Sequence, residues 1–466
     1  AKPLQKKLPY LIIGLLAMLL RFYLNFHTQL VPGLNGGYYL VQVRSLLNNG
    51  ALAFPDMPLL FYLQGLLVKI IAWLMPALQP DQIIIFVAKF TDSIGLPLML
   101  IPIYLIIRDF LKDKLSRTYE LTMIGFLVLS GSPLMLTSDL QKNALAMPIM
   151  LFFIYYFLLF LRNKNKKQLL LTILFLVLTG ITHFGVFSVS FGFFILGLII
   201  FYHKKALLPV IITGVLGVAL VALFDISRAE RLLVFWWNDK DFRISTRLLM
   251  DPIAVVNYLL SLLILGLSLF ILRRRMKEMD SFTKKTIVLL LALLLMMLYP
   301  FLRFEFWRRL GMMQFVPQVL LLLFLFPSLS GKLRITLTSI AVILISGSLF
   351  MHVTRPKPPG IIDAAWADLK KIETVIEKDK NMIIVTRHGL DWWVAWTLET
   401  RIAVAYHNVL DSEFRSIYDP VYIIKQKKGR NRDYPGKTSP FTEPPIPPDS
   451  RLVYSSDYFE LYQLSN

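Results

Sequence analysis

The chain has 466 residues, of which 56% are hydrophobic and 17% are charged, and its formal net charge is +20. So apolar a composition excludes a series of ordinary soluble domains and predicts an integral membrane protein. The sequence contains no cysteine, which excludes thiolate metal sites, a cysteine nucleophile and disulfide bonds.

The location of the positive charge argues against a nucleic-acid partner. Residues 353–466 contain 16 Lys and Arg against 15 Asp and Glu, so the excess lies in the first 352 residues. Short basic segments between apolar spans are what the positive-inside rule produces on the cytoplasmic face, whereas nucleic-acid binding needs a continuous basic surface. We therefore predict no nucleic-acid partner.

Apolar stretches of about 20 residues, long enough to cross a bilayer, recur along the first 351 residues. The first follows Lys6 and Lys7, as in a signal sequence. Because Arg21 stands where a small-residue cleavage site is expected, we predict an uncleaved anchor. The predicted spans, about eleven in number, are Leu8–Phe26, Ile83–Ile107, Leu121–Thr137, Ala144–Leu161, Leu169–Thr182, Val186–Tyr202, Leu207–Phe224, Ile253–Leu272, Ile287–Leu302, Met312–Phe326 and Ile335–Met351.

The apolar stretch Pro58–Leu74 decides the topology. If it crossed the membrane, the basic loop 108–117 would lie outside. If it lies along the outer surface as an amphipathic helix, interrupted by Gln64 and Lys69, six inner segments collect 21 of the 50 basic residues. We therefore predict a cytoplasmic N-terminus and an extracytoplasmic C-terminal domain.

A domain boundary is predicted near Pro356, where the composition becomes that of a soluble protein. The predicted domains are residues 1–352, with an outer loop at 28–80 that carries interfacial helices, and residues 353–466. Helical periodicity covers Ile362–Lys378, and residues 425–449 are predicted to form a loop. The predicted strands of this small α/β domain are Met382–Val385, Ile402–Ala405, Val421–Ile424 and Phe459–Tyr462.

The first outer loop contains Gly33, Asn35, Gly36, Gly37 and Tyr38. The glycines permit tight left-handed turns that present Asn35 to a ligand. The simpler interpretation is a capped turn before an interfacial helix, with the tyrosine in an aromatic belt.

This loop and the residues that follow it resemble the GT-C glycosyltransferases, which move sugar from a polyprenyl-phosphate carrier. Tyr38-Tyr39, Asn49-Gly50 and the segment Pro58-Leu59-Leu60-Phe61-Tyr62 follow the first span in the order and spacing of that family. The family includes protein mannosyltransferases, lipid A aminoarabinose transferases and, more distantly, oligosaccharyltransferase catalytic subunits. The resemblance covers about the first 160 residues in detail. It implies a mainly α, GT-C-like polytopic membrane fold and a single inverting displacement at the anomeric carbon.

Asn35 is where this chain departs from the family, whose members usually have Asp there. A carboxylate would accept the acceptor's proton or bind a divalent metal, whereas a neutral amide orients but does not act as an ordinary base. Three explanations stay open: Asp56 takes the role, the change is inactivating, or the chain no longer catalyses transfer. The metal requirement also stays open.

The turn at residues 138–143 carries Asp139 and Lys142, at the outer end of a predicted span. Asp139 lies where the family often has a second acidic residue. The two side chains are suitably spaced to hold a metal or hydroxyl on one side and a phosphate on the other. The alternative is a helix-capping Asp with a snorkelling Lys.

Arg303, Arg308 and Arg309 form a third candidate group on the outer side, against the positive-inside bias. A lipid phosphate would compensate them, because guanidinium groups bind phosphate oxygens bidentately and stabilise a leaving group. Glu305 and lipid headgroups are rival partners.

Three further features have mainly structural alternatives. His183 and Tyr38 are assigned to substrate binding, although a lone histidine at a helix end is more often structural. Lys89 and Asp92, three residues apart on a span, are expected to neutralise each other. The loop 228–247 is predicted to be an interfacial anchor or a lid over the site.

Together these features predict a membrane glycosyltransferase of the cell envelope that uses a polyprenyl-phosphate-linked sugar on the periplasmic face. Asn35, Asp56 and Asp139 would surround the reacting hydroxyl, with Asp56 or Asp139 as the base. The acceptor would be a glycan, a lipid or a protein. The first rival is a catalytically inactive relative that acts as a structural or lipid-binding subunit of an envelope complex. A transporter is the weaker rival, because the predicted polar residues gather at one surface rather than at the midplane.

Overall fold

The computed structural model is mostly helical, with a small sheet near the C-terminus. It describes residues 2–202, 212, 214–217, 219, 223, 252–275, 277–298, 304–379, 381–403, 416–427 and 443–464. Arg303, the predicted span Leu207–Phe224 except for a few positions, and the loop 228–247 lie outside these residues.

Helices account for most of the described residues up to residue 354. In the first part they are α1 (Lys2–Phe26), α2 (Gly36–Asn49), α3 (Leu59–Leu74), α4 (Pro80–Gly95), α5 (Leu100–Phe110), α6 (Arg117–Leu129), α7 (Gly131–Met135), α8 (Gln141–Asn163), α9 (Lys166–Thr182) and α10 (Phe184–Tyr202). The later ones are α11 (Pro252–Arg275), α12 (Ser281–Leu298), α13 (Phe304–Met313), α14 (Phe315–Leu325), α15 (Gly331–Thr354), α16 (Asp363–Ile372) and α17 (Asp391–Leu398).

Eight helical segments of the described chain are long and apolar enough to cross a membrane. They are Lys7–Phe26, Pro80–Phe110, Gln141–Asn163, Phe184–Tyr202, Ile253–Arg275, Ser281–Leu298, Arg308–Ser328 and Gly331–Thr354. Each overlaps a predicted span, so the chain is a multi-pass membrane protein. The total of eleven stays a prediction.

Two predicted spans have a different form in the structure. The predicted span Leu121–Thr137 is broken at Ser130 into α6 and α7. The span predicted at Leu169–Thr182 is α9, which has 17 residues. Helix α3 has 16 residues, which is short for crossing a bilayer, and its surface position stays a prediction.

The described contacts divide the chain into two units. The first, called the bundle unit here, contains residues 1–22, 55–60 and 92–355. The second, called the outer unit, contains residues 23–54, 61–91 and 356–466. The predicted C-terminal domain therefore shares a unit with most of the predicted outer loop.

The core of the bundle unit is built around α8, most of whose residues are buried. Phe157 of α8 contacts Phe193 of α10, with 5.9 Å between ring centroids. A methyl group on Gly197 would lie 2.4 Å from the Phe157 ring. Because small residues allow membrane helices to approach closely, Gly197 lets α10 pack against α8.

The outer unit contains a five-stranded sheet with the order β2-β1-β3-β5-β4. The strands are β1 (Ile383–Thr386), β2 (Arg401–Ala403), β3 (Val421–Gln426), β4 (Ser450–Ser455) and β5 (Phe459–Leu464). Strands β2, β1 and β3 are parallel, while β5 pairs antiparallel with β3 and β4. The small α/β domain predicted from sequence is confirmed.

Candidate active site

Asn35 stands at the N-cap position of α2 in the outer unit. Its side chain makes no capping hydrogen bond, and its carbonyl oxygen accepts a hydrogen bond from the Tyr38 amide at 3.1 Å. The amide side chain is thus not used to cap the helix, which differs from the simplest interpretation of the loop. Its predicted role at the reacting hydroxyl stays a prediction.

The three glycines of this loop serve different purposes. Gly33 has a positive φ of 89°, which glycine adopts most readily. Gly36 and Gly37 are helical, so the prediction that they form left-handed turns is wrong. They are needed for space: an added Cβ would lie 2.4 Å from the Val31 carbonyl oxygen at Gly36, and 2.9 Å from the Trp392 backbone at Gly37.

Gly36→Ala is expected to destabilise the outer unit by about 1 to 3 kcal/mol, because the methyl group meets backbone that cannot move aside. The measurement is the thermal unfolding of the purified protein in detergent. Gly95→Ala is the matched control, since a Cβ there meets its nearest atoms at an ordinary 3.9 Å. Equal melting temperatures for the two variants would contradict the packing argument.

Tyr38 lies in an aromatic cluster of the outer unit. Its ring contacts Trp392, with centroids 4.9 Å apart, and its hydroxyl accepts a hydrogen bond from Gln42 Nε2 at 3.0 Å. Gln42 also pairs with the Phe54 backbone in both directions. These contacts hold α2 against the segment that follows it, which is a structural role. A part in substrate binding stays a prediction.

Asp56 and Lys142 are brought together in the bundle unit although they are 86 positions apart in sequence. The Lys142 ammonium donates to Asp56 Oδ2, and the Met57 amide donates to Asp56 Oδ1 at 2.8 Å. The Asp56 side chain is almost completely buried. Both carboxylate oxygens of Asp56 therefore have a protein donor.

A second buried ion pair joins Arg21 of α1 to Asp92 of α4, with 3.0 Å between Arg21 Nη2 and Asp92 Oδ1. Arg21 also donates to the Asp92 and Pro133 carbonyl oxygens, each at 3.1 Å. Both side chains are fully buried. The sequence signal for this site was a guanidinium inside the first span, which was interpreted only as evidence against cleavage.

This arrangement corrects the expectation that Lys89 and Asp92 neutralise each other. The charge that compensates Asp92 comes from Arg21. The Lys89 ammonium donates to the backbone carbonyl oxygens of Thr28 and Gln29, at 2.6 and 2.9 Å. Spacing along one helix did not reveal that a different span supplies the partner.

The turn that carries Asp139 is anchored by the Arg21–Asp92 pair. Asp92 Oδ2 accepts a hydrogen bond from the Ser138 amide at 2.9 Å. Ser138 has a φ of 70°, a left-handed conformation that is costly for a residue other than glycine. Asp139 follows it and is half-buried. A strained turn held by a buried ion pair fixes the position of this carboxylate.

Arg308 and Arg309 lie on α13, and both are exposed. The C-terminal end of this helix is fixed by a buried polar network. Asn257 Nδ2 donates to the Gly311 carbonyl oxygen, Ser261 Oγ donates to Gln314 Oε1 at 2.8 Å, and Gln318 Nε2 donates to Asn257 Oδ1 at 3.0 Å. Hydrogen bonds of this kind hold membrane helices together.

His183 connects α9 to α10. Its Nδ1 accepts a hydrogen bond from the Val186 amide at 3.2 Å, and its carbonyl oxygen accepts one from the Phe187 amide at 3.0 Å. The ring therefore caps α10, which is the structural role noted as the alternative. Substrate binding by His183 stays a prediction.

The described residues do not form a metal site with three or more protein ligands. Within them, no group of three or more His, Asp or Glu side chains could hold a metal. Of the sequence-predicted residues, Asp56 and Lys142 are in direct contact. Asp139, His183, Arg308 and Arg309 also belong to the bundle unit, whereas Asn35 and Tyr38 belong to the outer unit.

Comparison with solved structures finds similar folds in the oligosaccharyltransferase of Archaeoglobus fulgidus. Its complex with an inhibitory peptide and a dolichol-phosphate matches with a TM-score of 0.59 at 12% identity, covering 90% of this chain and 70% of that one. The complex with zinc and sulfate matches with a TM-score of 0.53 at 12% identity, covering 89% and 68%. The form tethered to an acceptor peptide matches with a TM-score of 0.53 at 10% identity, covering 90% and 69%.

No protein-family model and no curated protein sequence matches the chain. The structural likeness extends over both units and rests on fold rather than on sequence, since identity is 12% or lower. The chain is thus a polytopic membrane protein with a fold similar to that of the archaeal oligosaccharyltransferase.

Proposed function

We propose that this protein is a membrane glycosyltransferase that moves a sugar from a polyprenyl-phosphate-linked donor to an acceptor on the outer, periplasmic face of the membrane. The GT-C fold supports this proposal. The observation that carries it is the strained turn at Ser138 and Asp139, which lies three residues before Lys142 of the buried Asp56–Lys142 pair in the same unit. The similar structures, which hold a dolichol-phosphate or an acceptor peptide, support a lipid-linked donor and a peptide acceptor, within the proposed range of a glycan, lipid or protein.

In the proposed reaction the acceptor attacks the anomeric carbon of the donor sugar. The bond between that carbon and the phosphate oxygen breaks, and the phosphate leaves with the bonding electrons. The acceptor's proton passes to a carboxylate. We assign this role to Asp139 rather than Asp56, because Asp56 is held by Lys142 and by the Met57 amide. Asp56 then acts as a positioning residue, and no protein nucleophile is required.

We assign the stabilisation of negative charge on the leaving phosphate to basic residues of the bundle unit. The exposed guanidinium groups of Arg308 and Arg309 suit bidentate contacts with phosphate oxygens. Arg303 and Lys142 are proposed as additional phosphate ligands, and Lys142 would have to share its ammonium with Asp56. Tyr38 and His183 are proposed as additional substrate-binding residues.

One specific observation favours a second candidate function, a catalytically inactive relative that binds lipid as a subunit of an envelope complex. Asn35 stands where the family usually has Asp, and the nearby acid in sequence, Asp56, is already neutralised by Lys142. A chain that lost its catalytic base but kept the ability to bind lipid would have these features. The inner membrane of a bacterial-type envelope is the proposed location for either function.

Donor binding tests the phosphate assignment. Arg309→Ala is expected to weaken the binding of a short-chain polyprenyl phosphate by about tenfold to a hundredfold, as expected for the loss of a charged hydrogen bond. The measurement is equilibrium binding to the purified full chain in nanodiscs. Arg275→Ala, which removes an exposed arginine at the far end of α11, should leave the affinity unchanged. Equal affinities for the two variants would contradict the assignment.

Sugar transfer distinguishes the two functions. The wild-type chain and Asn35→Asp are compared for transfer of radiolabelled sugar from a polyprenyl-phosphate donor in proteoliposomes. Transfer by the wild type, or its gain in Asn35→Asp, supports the enzyme, because a carboxylate at position 35 adds a group that can accept a proton or bind a metal. Donor binding without transfer in either form supports the inactive subunit.

A further inference from the structure

A groove of about 250 Å³ opens on the side of the bundle unit, between the α6–α7 break, α11 and α15. Its rim contains Val256, Ile343 and Met351, which are exposed, while Phe126 and Leu260 in its floor are buried. Helices α11 and α15 are the least buried of the candidate spans, with 28% and 11% of their apolar windows buried. The rim therefore faces the surroundings of the helices, which in a membrane are hydrocarbon chains.

One polar atom in the floor of the groove lacks a protein partner. Ser130, which breaks α6 from α7, is 3% exposed, and its hydroxyl has no hydrogen-bond partner among the residues that the structure describes. A buried hydroxyl without an acceptor is costly. The groove thus combines apolar walls with one donor that requires an acceptor from outside the described chain.

The groove lies near one end of each helix that forms it. Helix α6 begins at Arg117, α11 ends with Arg273, Arg274 and Arg275, and α15 has Lys332 and Arg334 in its first turn. The residues that line the groove lie at the opposite end of each helix. They include Ser130 at the break after α6 and Met351 near the end of α15. The helix ends lie close to the boundary between hydrocarbon and headgroups, where the oxygen atoms that link glycerol to its chains are found.

We propose that this groove binds one hydrocarbon chain of a bilayer glycerolipid, and that Ser130 Oγ donates a hydrogen bond to the ester oxygen of that chain. No charged side chain is among the described residues that line the groove, so it offers nothing to the phosphate of a polyprenyl-phosphate donor. The chain and its ester are the features that it can recognise. This lipid is distinct from the donor, and its binding does not require transfer activity.

Gly347 provides a direct way to fill the groove. It lines the groove, and a Cβ built there meets no atom within 4 Å. Gly347→Leu should therefore occupy the lipid's space without disturbing protein packing. Gly266 is the matched control: it lies on α11, is exposed, has equally open surroundings and does not line the groove.

The full chain is placed in nanodiscs that contain phosphatidylcholine with a diazirine on one acyl chain, irradiated, and digested for mass spectrometry. We expect labelling of the peptide that contains Ser130 and Gly131. Gly347→Leu should reduce it about tenfold or more, because the added side chain overfills the groove, and Gly266→Leu should leave it unchanged. Ser130→Ala should reduce it about threefold to tenfold, the worth of one neutral hydrogen bond.

Two results would overturn the proposal. One is equal labelling of the Ser130 peptide in the wild type, Gly347→Leu and Ser130→Ala. The other is displacement of the label by excess polyprenyl phosphate but not by unlabelled phosphatidylcholine, which would assign the groove to the donor chain. If Gly347→Leu does not fold, the labelling of Ser130→Ala tests the proposal by itself, because this substitution removes only the hydroxyl oxygen and leaves the packing of the helices unchanged. A failure of sugar transfer leaves these outcomes unaffected.

Discussion

Arg21→Met should lower the free energy of unfolding by about 3 to 5 kcal/mol, the range found when one partner of a buried ion pair is removed. Asp92 would then be fully buried without the guanidinium group that compensates it. Two carbonyl groups, those of Asp92 and Pro133, would also lose the donors that Arg21 provides. The measurement is reversible unfolding in mixed micelles, followed by tryptophan fluorescence.

An exposed pair of the same unit provides the control. Arg108 pairs with Asp109 at 2.6 Å, but its side chain is 47% exposed. Arg108→Met should therefore cost about 1 kcal/mol or less, as for most exposed ion pairs. Similar losses for Arg21→Met and Arg108→Met would show that burial does not set the strength of the Arg21–Asp92 pair.

A double variant separates charge from packing. In Arg21→Met with Asp92→Asn, the uncompensated charge is gone, while the asparagine oxygen can still accept from the Ser138 amide. This variant should recover most of the stability lost in Arg21→Met, because buried ion pairs are often replaced by neutral groups at little cost. If it does not, the loss comes from the carbonyl contacts of Arg21 rather than from its charge.

The spans could be predicted from sequence because their signal is local. An apolar run of sufficient length must satisfy its backbone hydrogen bonds internally, so it forms a helix wherever it lies in the chain. Eight predicted spans therefore coincide with long apolar helices. The break at Ser130 was not predicted, because Gly131 and Pro133, which follow it, are tolerated within membrane helices.

The contacts of the candidate site could not be predicted in the same way. Arg21 and Asp92 are 71 positions apart, and Asp56 and Lys142 are 86 positions apart. Only the folded chain brings them together. The sequence identified Asp56 as a possible replacement for the acid missing at Asn35, but it paired Lys142 with Asp139 because those two are near neighbours in the chain.

The C-terminal domain shows the same limit on a smaller scale. Strand β4 was not predicted, because it lies at the edge of the sheet and its side chains are largely exposed, so it lacks a continuous buried face. Helix α16 ends at Ile372 rather than at Lys378 because a turn follows. The buried strand β1 was predicted within one residue, since all four of its residues are apolar or β-branched.

Asp139→Asn should lower kcat for sugar transfer by about a hundredfold to ten-thousandfold, the usual contribution of a general base. The amide keeps the size of the carboxylate and can still form hydrogen bonds, but it does not accept the acceptor's proton. The KM for the donor should change little, because the phosphate is assigned to Arg308 and Arg309. The measurement is steady-state transfer in proteoliposomes, with kcat and the donor KM determined for the wild type and the variant.

Asp56→Asn is the informative comparison, because it removes a carboxylate that the structure binds to Lys142. It leaves the Lys142 ammonium without its counter-charge, so it should lower the stability of the bundle unit as well as the rate. Asp139→Asn should lower the rate with a smaller loss of stability, because Asp139 is only half-buried whereas the Asp56 side chain is almost completely buried. Transfer that survives Asp139→Asn but disappears in Asp56→Asn at wild-type stability would reverse the two assignments and make Asp56 the base.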